Sequence, residues 1–395
     1  MTINSEKWIQ SLPNEWSITK IGNHFKCRNE KVNDADYPPL SVAKQGVVPQ
    51  IETVAKTDAN DNRKLVLMND FVINSRSDRK ESCGLSKLNG SVSLINHVLY
   101  QNGQDYYMPF VGILFKNYGF AEEFYRWGHG IVADLWTTRW QEMKNIEIPL
   151  PPLKEQKLIF DFLTNRTSKI DQLISNQEKQ IEKLKEYKQS LINQNVFNGK
   201  KYFIPLKKCC LLNKESLKDT NNPLQPIEYV EIGDVTLEDG IKKTESFLFK
   251  NAPSRARRKT KMGDIIVSTV RTYLKAIAIV DKKGLIVSTG FAVLEPINVS
   301  TKYLGYVLKT DYFTSSVSAN SNGINYPSIT SESLINLKIP TCDKETQEKI
   351  SVFLDDKCNK INKLIKIKNQ KIENLKDYKK SLIYEYVAGK KRVLL

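Results

Sequence analysis

The chain has 395 residues, 40% of them hydrophobic and 26% charged, with a formal net charge of +16. That composition excludes a disordered or fibrous protein, and the length suits two or three domains that each bury a core. Met1 to Asn14 holds no apolar h-region, and no apolar run approaches the ~18 residues of a membrane span, so a cytoplasmic protein without membrane contact is expected. The charge is unevenly placed. Residues 1–150 carry 17 Lys and Arg against 17 Asp and Glu, residues 151–200 carry 9 against 6, residues 201–340 carry 20 against 13, and residues 341–395 carry 14 against 8. A basic excess confined to part of a chain points to a polyanion, most often nucleic acid; a general Lys-rich bias is the bland alternative. The cysteines (Cys27, Cys83, Cys209, Cys210, Cys342, Cys358) form no C-x-x-C pair and no cluster with histidine. Free thiols in a reducing compartment follow, and zinc does not.

In chain order, residues 1–147 read as a mixed α/β block. Short β-like runs lie at Leu40–Ala43, Leu65–Leu67, Phe71–Ile73 and Val92–Ile95, with turn-forming stretches such as Asn60-Asp61-Asn62 between them. Tyr118 to Trp127 reads as a short helix ended by Gly128. Pro149, Pro151 and Pro152 then stop the block, and Lys154 to Leu163 looks helical. From Ile170 a heptad pattern sets in, with Ile170, Gln177, Leu184 and Leu191 at a and Leu173, Gln180 and Tyr187 at d, while Ile174 and Ile181 widen the stripe. Thr167 to Val196 would make a rod of roughly 45 Å.

This helical stretch is written twice. Between 148 and 196, 20 of 49 positions are identical to the residue 191 places later. The second copy has Ile361, Lys368, Leu375 and Leu382 at a, with Leu364, Lys371 and Tyr378 at d. Both copies put a polar residue at the same a position (Gln177, Lys368), which would fix register if the helices pack antiparallel, because the polar zones then meet near the middle. The alternative is that each helix lies on its own block. In the second copy Asp343 stands where Pro152 did and can cap the helix instead. Residues 201–338 resemble the first block in order: Met262–Ser268 answers Met68–Asn74 at an offset of 194, and Thr301 to Val317 answers Tyr118 to Trp127. The chain is thus a tandem duplication of a globular head and a helix.

No catalytic constellation is present: no Gly-rich phosphate loop leads into Lys-Ser or Lys-Thr, Asn222-Pro223-Leu224 fails as a methyltransferase motif at its third position, and His24, His97 and His129 are isolated. Basic and polar clusters are more informative. Head one offers Lys44-Gln45, Arg63-Lys64 and the loop with Asn74, Ser75, Arg76, Arg79 and Lys80. Head two offers Arg255, Arg257, Arg258, Lys259 and Lys261, then Thr269, Arg271, Tyr273 and Lys275, with Asn325-Tyr326 as another route into a groove. Arg suits guanine, Asn and Gln suit adenine, and Ser and Thr hold phosphates. For any single residue, a solvated surface charge is the competing reading.

The stretch Ile148-Pro149-Leu150-Pro151-Pro152-Leu153-Lys154-Glu155-Gln156, the coil ending Lys188-Gln189-Ser190-Leu191-Ile192 and the duplication together resemble the specificity subunits of type I restriction–modification enzymes. The resemblance covers essentially the whole chain. It implies an α+β architecture: target recognition domains at 1–147 and 201–338 alternate with conserved helical regions at 148–200 and 339–395, which pair as an antiparallel coiled coil with pseudo-twofold symmetry. It implies a non-catalytic subunit that binds double-stranded DNA at a bipartite asymmetric site, one half per head, with the helices as spacer. The partners implied are two modification subunits carrying S-adenosylmethionine, and restriction subunits using ATP and Mg²⁺, so this chain itself needs no cofactor. Against this stands a coiled-coil scaffold or RNA-binding protein that uses the duplication only for docking.

Overall fold

A computed structural model of the protein describes residues 8–9, 12–51, 61–76, 79–130, 136–199 and 201–393. The chain divides into two compact units, Met1–Gln177 with Asn369–Leu395, and Glu178–Lys368. Each unit holds one head, part of one long helix and the complementary part of the other.

In unit one, strand Ser17–Lys20 pairs antiparallel with Glu147–Leu150 and closes the head where the long helix begins. An antiparallel sheet runs in the order Phe25–Cys27, Asn96–Gln101, Phe71–Asn74, Cys83–Leu85. A smaller sheet joins Lys31–Val32, Arg63–Val66 and Gly90–Val92, and Leu40–Ala43 forms a hairpin with Gly46–Pro49. Helices Met108–Leu114 and Tyr118–Arg126 bring Phe110, Phe115 and Phe120 into the core. There Phe115 meets Phe25 and Phe71 edge-on at 5.5 and 5.2 Å and stacks on Phe120 at 4.6 Å. Offset aromatic pairs of this kind add to what burial alone contributes.

Unit two repeats the plan. Tyr202–Pro205 pairs with Lys338–Thr341, and a sheet in the order Cys210–Leu212, Phe291–Pro296, Ile265–Ser268, Ile277–Ile279 matches the first strand for strand. Even left-handed backbone recurs 194 residues on, at Asn69 and Gly263 (φ 70° and 94°) and at Glu81 and Lys275 (φ 64° and 48°). Head two differs in its second sheet, which runs Glu245–Leu248, Pro226–Val230, Leu285–Ser288, Ala256–Lys259.

Three expectations about the heads need correction. Thr301 to Val317 is not one helix but two, Thr301–Leu308 and Asp311–Ala319, broken where the Thr310 hydroxyl accepts from Phe313 N; Asn117 caps Tyr118–Arg126 in the same way at Phe120 N. Tyr118–Arg126 therefore answers the second of them, and Thr301–Leu308 answers Met108–Leu114, a helix too short for periodicity to reveal. The strand expected at Val92–Ile95 ends at Val92, because a turn follows in which Asn96 N and Nδ2 both donate to Ser93 O. The strand expected at Leu65–Leu67 is Arg63–Val66, since Asp70 turns the chain back by accepting from Leu67 N.

The long helices are continuous, Leu153–Phe197 (45 residues) and Lys344–Val387 (44 residues). At 1.5 Å per residue each is about 65 Å long, more than the heptads alone suggested. Gly199 and Gly389 follow their ends in left-handed backbone (φ 78° and 73°). Asp343 caps the second helix as expected, accepting from Thr346 N at 2.9 Å, and these bonds hold its carboxyl below the ordinary value. Buried Gln156 does one further job at the first helix start. Its Oε1 accepts from Tyr107 N, and its Nε2 donates to Asp105 O and Pro151 O. Gln347 repeats this with Ser300 N and Cys342 O.

Within each unit the two helices run antiparallel. In unit one the Phe162 and Tyr386 rings are 4.7 Å apart and Lys379 Nζ lies 2.6 Å from Asp171. In unit two Lys188 Nζ donates to Asn362 at 2.8 Å and Lys368 Nζ to Gln180 at 2.5 Å. The polar positions Gln177 and Lys368 fall at the unit boundaries, and the bond from Lys368 to Gln180 joins the two polar zones. The d assignment is one residue early. Leu173, Tyr187, Leu364 and Tyr378 are 46%, 57%, 47% and 56% exposed, whereas Ile181 and Ile372 are buried beside Ile170, Ile361 and Leu382. Leu184, Leu191 and Leu375 are partly covered. Two stripes share the a positions, and the one through Ile174 and Ile181 wins over the one through Leu173 and Gln180 because it buries more apolar surface and no amide.

Candidate nucleic-acid interface

In head one the basic clusters separate into bracing and exposed groups. Arg63 is buried and donates to Ser91 Oγ and O at 2.8 and 3.0 Å, and Lys64 Nζ donates to Asn96 O at 2.9 Å. Arg63 ties two strands of the small sheet together and Lys64 joins that sheet to the main one, so Arg63 is not presented to a ligand. Lys44 and Gln45 form the exposed tip of the hairpin. The strand Phe71–Asn74 delivers the chain into the main loop. Asn74 Oδ1 accepts from Arg76 N, and buried Ser75 accepts at its carbonyl from Thr138 N. Arg76 pairs with Thr137, which in turn pairs with His129. Arg76 and Arg79 are exposed; Lys80 is held 3.0 Å from Glu122 and 4.1 Å from the Tyr125 ring centre. Ser77, Asp78 and residues 131–135 lie outside the described residues.

Beneath this loop, His97 Nε2 lies 2.8 Å from Thr138 O, so this nitrogen carries the proton and donates. Burial lowers the His97 pKa, the Thr138 bond opposing it, and the ring is neutral at pH 7. His97 is thus structural, as expected.

Head two builds the same pair of loops on the same bridges: Val270 pairs with Ser328, and Ser328 with Asn322. Thr269 is buried, donating to Gly290 O and accepting from Ile329 N, so it holds the loop and does not reach outward. Thr272 N donates to Pro327 O, and its hydroxyl lies 3.0 Å from Ser321 Oγ. Arg271 and Lys275 take left-handed backbone (φ 50° and 48°) on either side of Thr272–Leu274, and the Arg271 guanidinium lies 5.3 Å from the Tyr326 ring centre. Arg271, Tyr273, Lys275, Ile324, Asn325 and Tyr326 are all exposed. Asn325-Tyr326 and Arg271, alternatives in the sequence, therefore belong to one platform.

The five-cation run behaves differently. Arg255 is exposed, with its carbonyl accepting from Thr289 N. Arg257 is paired with Asp219 at 3.0 Å, and Lys261 is shared between Glu215 and Glu295 at 3.3 and 3.6 Å. Arg258 is half-buried, and burial lowers its pKa. Lys259 lines a cavity of about 280 Å³ with Lys214, Asp264 and Glu295. Cations already matched to carboxylates offer a polyanion little.

Sequence reasoning missed the second loop of head one, and in head two it named Asn325-Tyr326 but not Ile324 beside them at the tip. The available signal was His129-Gly130 recurring as Asn322-Gly323. Among the described residues no group of His, Cys, Asp and Glu could hold a metal, the cysteines are free, and no helix is long and apolar enough to cross a membrane.

Residues 137–183 and 205–374 match the family model described as the type I restriction modification DNA specificity domain. The chain is 25% identical over 286 residues to the type I restriction enzyme MjaVIII specificity subunit of Methanocaldococcus jannaschii, a match to 63% of each chain. It is 32% identical over 147 residues to the HindI specificity subunit of Haemophilus influenzae, covering 34% of this chain and 31% of that one. The fold is similar to a chain in a structure of a type I R-M system (TM-score 0.75, 15% identity, 97% of this chain and 100% of that one). It is also similar to the HsdS subunit from Thermoanaerobacter tengcongensis (TM-score 0.54, 17% identity, 97% and 99%). The family model takes in more than half of the chain, and its two segments reach into both heads and both long helices. The chain belongs to the type I restriction modification DNA specificity domain family.

Proposed function

We propose that this chain is the non-catalytic specificity subunit of a type I restriction–modification complex and reads a bipartite, asymmetric site in double-stranded DNA, one half per head. The observation that carries the reading is the loop platform built twice on matching bridges, Arg76–Thr137–His129 and Val270–Ser328–Asn322, with different side chains outward. A common scaffold with unlike loops is what two readings of different sequence require. The paired helices set the spacer and seat two modification subunits. In support, each unit leaves the same residue types uncovered, Leu173 and Tyr378 in one and Leu364 and Tyr187 in the other. S-adenosylmethionine belongs to those modification subunits, and ATP and Mg²⁺ to the restriction subunits.

The test is co-expression with a modification subunit and mapping of adenine methylation on host DNA. A bipartite asymmetric motif is expected, and deleting one heptad from both helices should change its spacer. No methylation, or one continuous motif, would remove the reading. Duplex binding should also rise steeply as salt falls while keeping a sequence preference, which a docking scaffold would not show.

A further inference from the structure

The candidate cations of head two differ in what already occupies them. Arg257 and Lys261 have carboxylate partners, Arg258 is half-buried, and Lys259 lines a cavity that also holds acids. Arg271 is exposed, and among the described residues no carboxylate is paired with it. Its guanidinium carbon lies 5.3 Å from the Tyr326 ring centre, a cation–π contact that places the group beside the second loop. The backbone beneath it is braced. Val270 bridges to Ser328, Thr272 bonds to Pro327 and Ser321, and Arg271 itself sits at φ 50°, a conformation that a residue with a Cβ adopts at a cost of about 1 kcal/mol or more. Strain held by cross-loop bonds fixes where this one side chain starts. A planar fork held at one place suits bidentate recognition of guanine O6 and N7, where register decides the contact more than it does for a phosphate, which charge alone can hold.

Resting on the function proposed above, we propose that Arg271 reads a guanine in the half-site taken by head two, with Tyr326 as the positioning residue that holds the guanidinium in place. Ile324, fully exposed at the tip of the second loop, lies on the same platform as an apolar neighbour to that contact.

The experiment takes the full chain in complex with its modification subunits and measures binding to duplexes that each differ by one base pair from the methylated motif. Wild type, R271A, R271K, Y326F and Y326A are compared, with thermal melts of each. For R271A and R271K, discrimination at one guanine of one half-site should collapse by roughly 10- to 100-fold while the other positions stay selective. Y326F should behave as wild type, and Y326A should relax the same position in part. Two results would overturn the proposal: unchanged discrimination in R271K, or equal weakening on every duplex, which marks a phosphate contact. Absence of any base preference in the wild-type complex would instead remove the parent reading, and this inference with it.

Discussion

The two heads hold their outward loops on one scaffold and support them differently. In head one a histidine lies under the platform, its Nε2 bonded to Thr138 O, and Lys80 is drawn back onto Glu122 and Tyr125. In head two the strand position that answers His97 is Ala292, as the pairing of Asn96 with Asn74 and of Phe291 with Ser268 shows. Support there comes instead from Thr272 and from Arg271 set against the Tyr326 ring. A duplicated fold thus keeps its backbone bridges while the side chains above and below them diverge. The bridges define the platform, and the side chains define what it can meet. The long helices show a milder version of the same contrast. Lys379 with Asp171 and Lys188 with Asn362 are the same bond 191 residues apart, an ion pair in unit one and an amide contact in unit two.

These contrasts can be broken one at a time. The largest effect is expected at the helix starts. Gln156→Leu leaves Tyr107 N, Asp105 O and Pro151 O without their side-chain partner and should cost unit one about 3 kcal/mol, with Gln347→Leu costing unit two less because its third bond, to Thr341 Oγ1, is 3.4 Å long. Hydrogen exchange resolved by unit would show the loss confined to the mutated one; equal loss in both would mean the units do not open separately. Next comes Arg63→Ala, which removes the bonds to Ser91 and should cost about 2 kcal/mol while leaving DNA affinity of the folded complex unchanged. A large fall in affinity without a fall in melting temperature would return Arg63 to the interface.

A smaller effect separates the heads by pH. The His97 pKa is lowered from 6.5, chiefly by burial, with Lys64 adding to the shift while Thr138 and Glu142 oppose it. Below pH 6.5 the unfolded chain binds a proton that the folded head does not, so this contribution is fully present above 6.5. It is lost as pH falls toward the lowered value, by at most about 1.4 kcal/mol per pH unit. Protection factors in strand Asn96–Gln101, referred to the intrinsic exchange rate at each pH, should therefore fall in acid, those in Phe291–Pro296 should not follow, and His97→Gln should flatten the difference. The smallest effect is Asp171→Asn, which makes unit one resemble unit two. Both partners are partly exposed, so a change under about 0.5 kcal/mol is expected, visible as a lost salt dependence of unit-one stability.

Much of the plan was legible before the structure. The repeat at offset 191, the shared strands Phe71–Asn74 and Ile265–Ser268, the cap at Asp343 and the polar pair Gln177 and Lys368 are all local patterns, carried by residue type and spacing. Antiparallel pairing was implied by the family resemblance, and the positions of those polar residues are consistent with it. Which of two overlapping stripes forms the seam did not follow. Leu173 and Ile174 are both apolar, and only the partner helix decides that the isoleucine goes in and the leucine stays out. The cations show the same limit. Arg63 and Arg271 are alike in the sequence, but one is buried on Ser91 and the other stands exposed against a tyrosine from a loop 55 residues away. Composition and periodicity fix which residues a chain can offer. The distant segments that pack against them decide which charges are neutralised and which remain to meet a ligand.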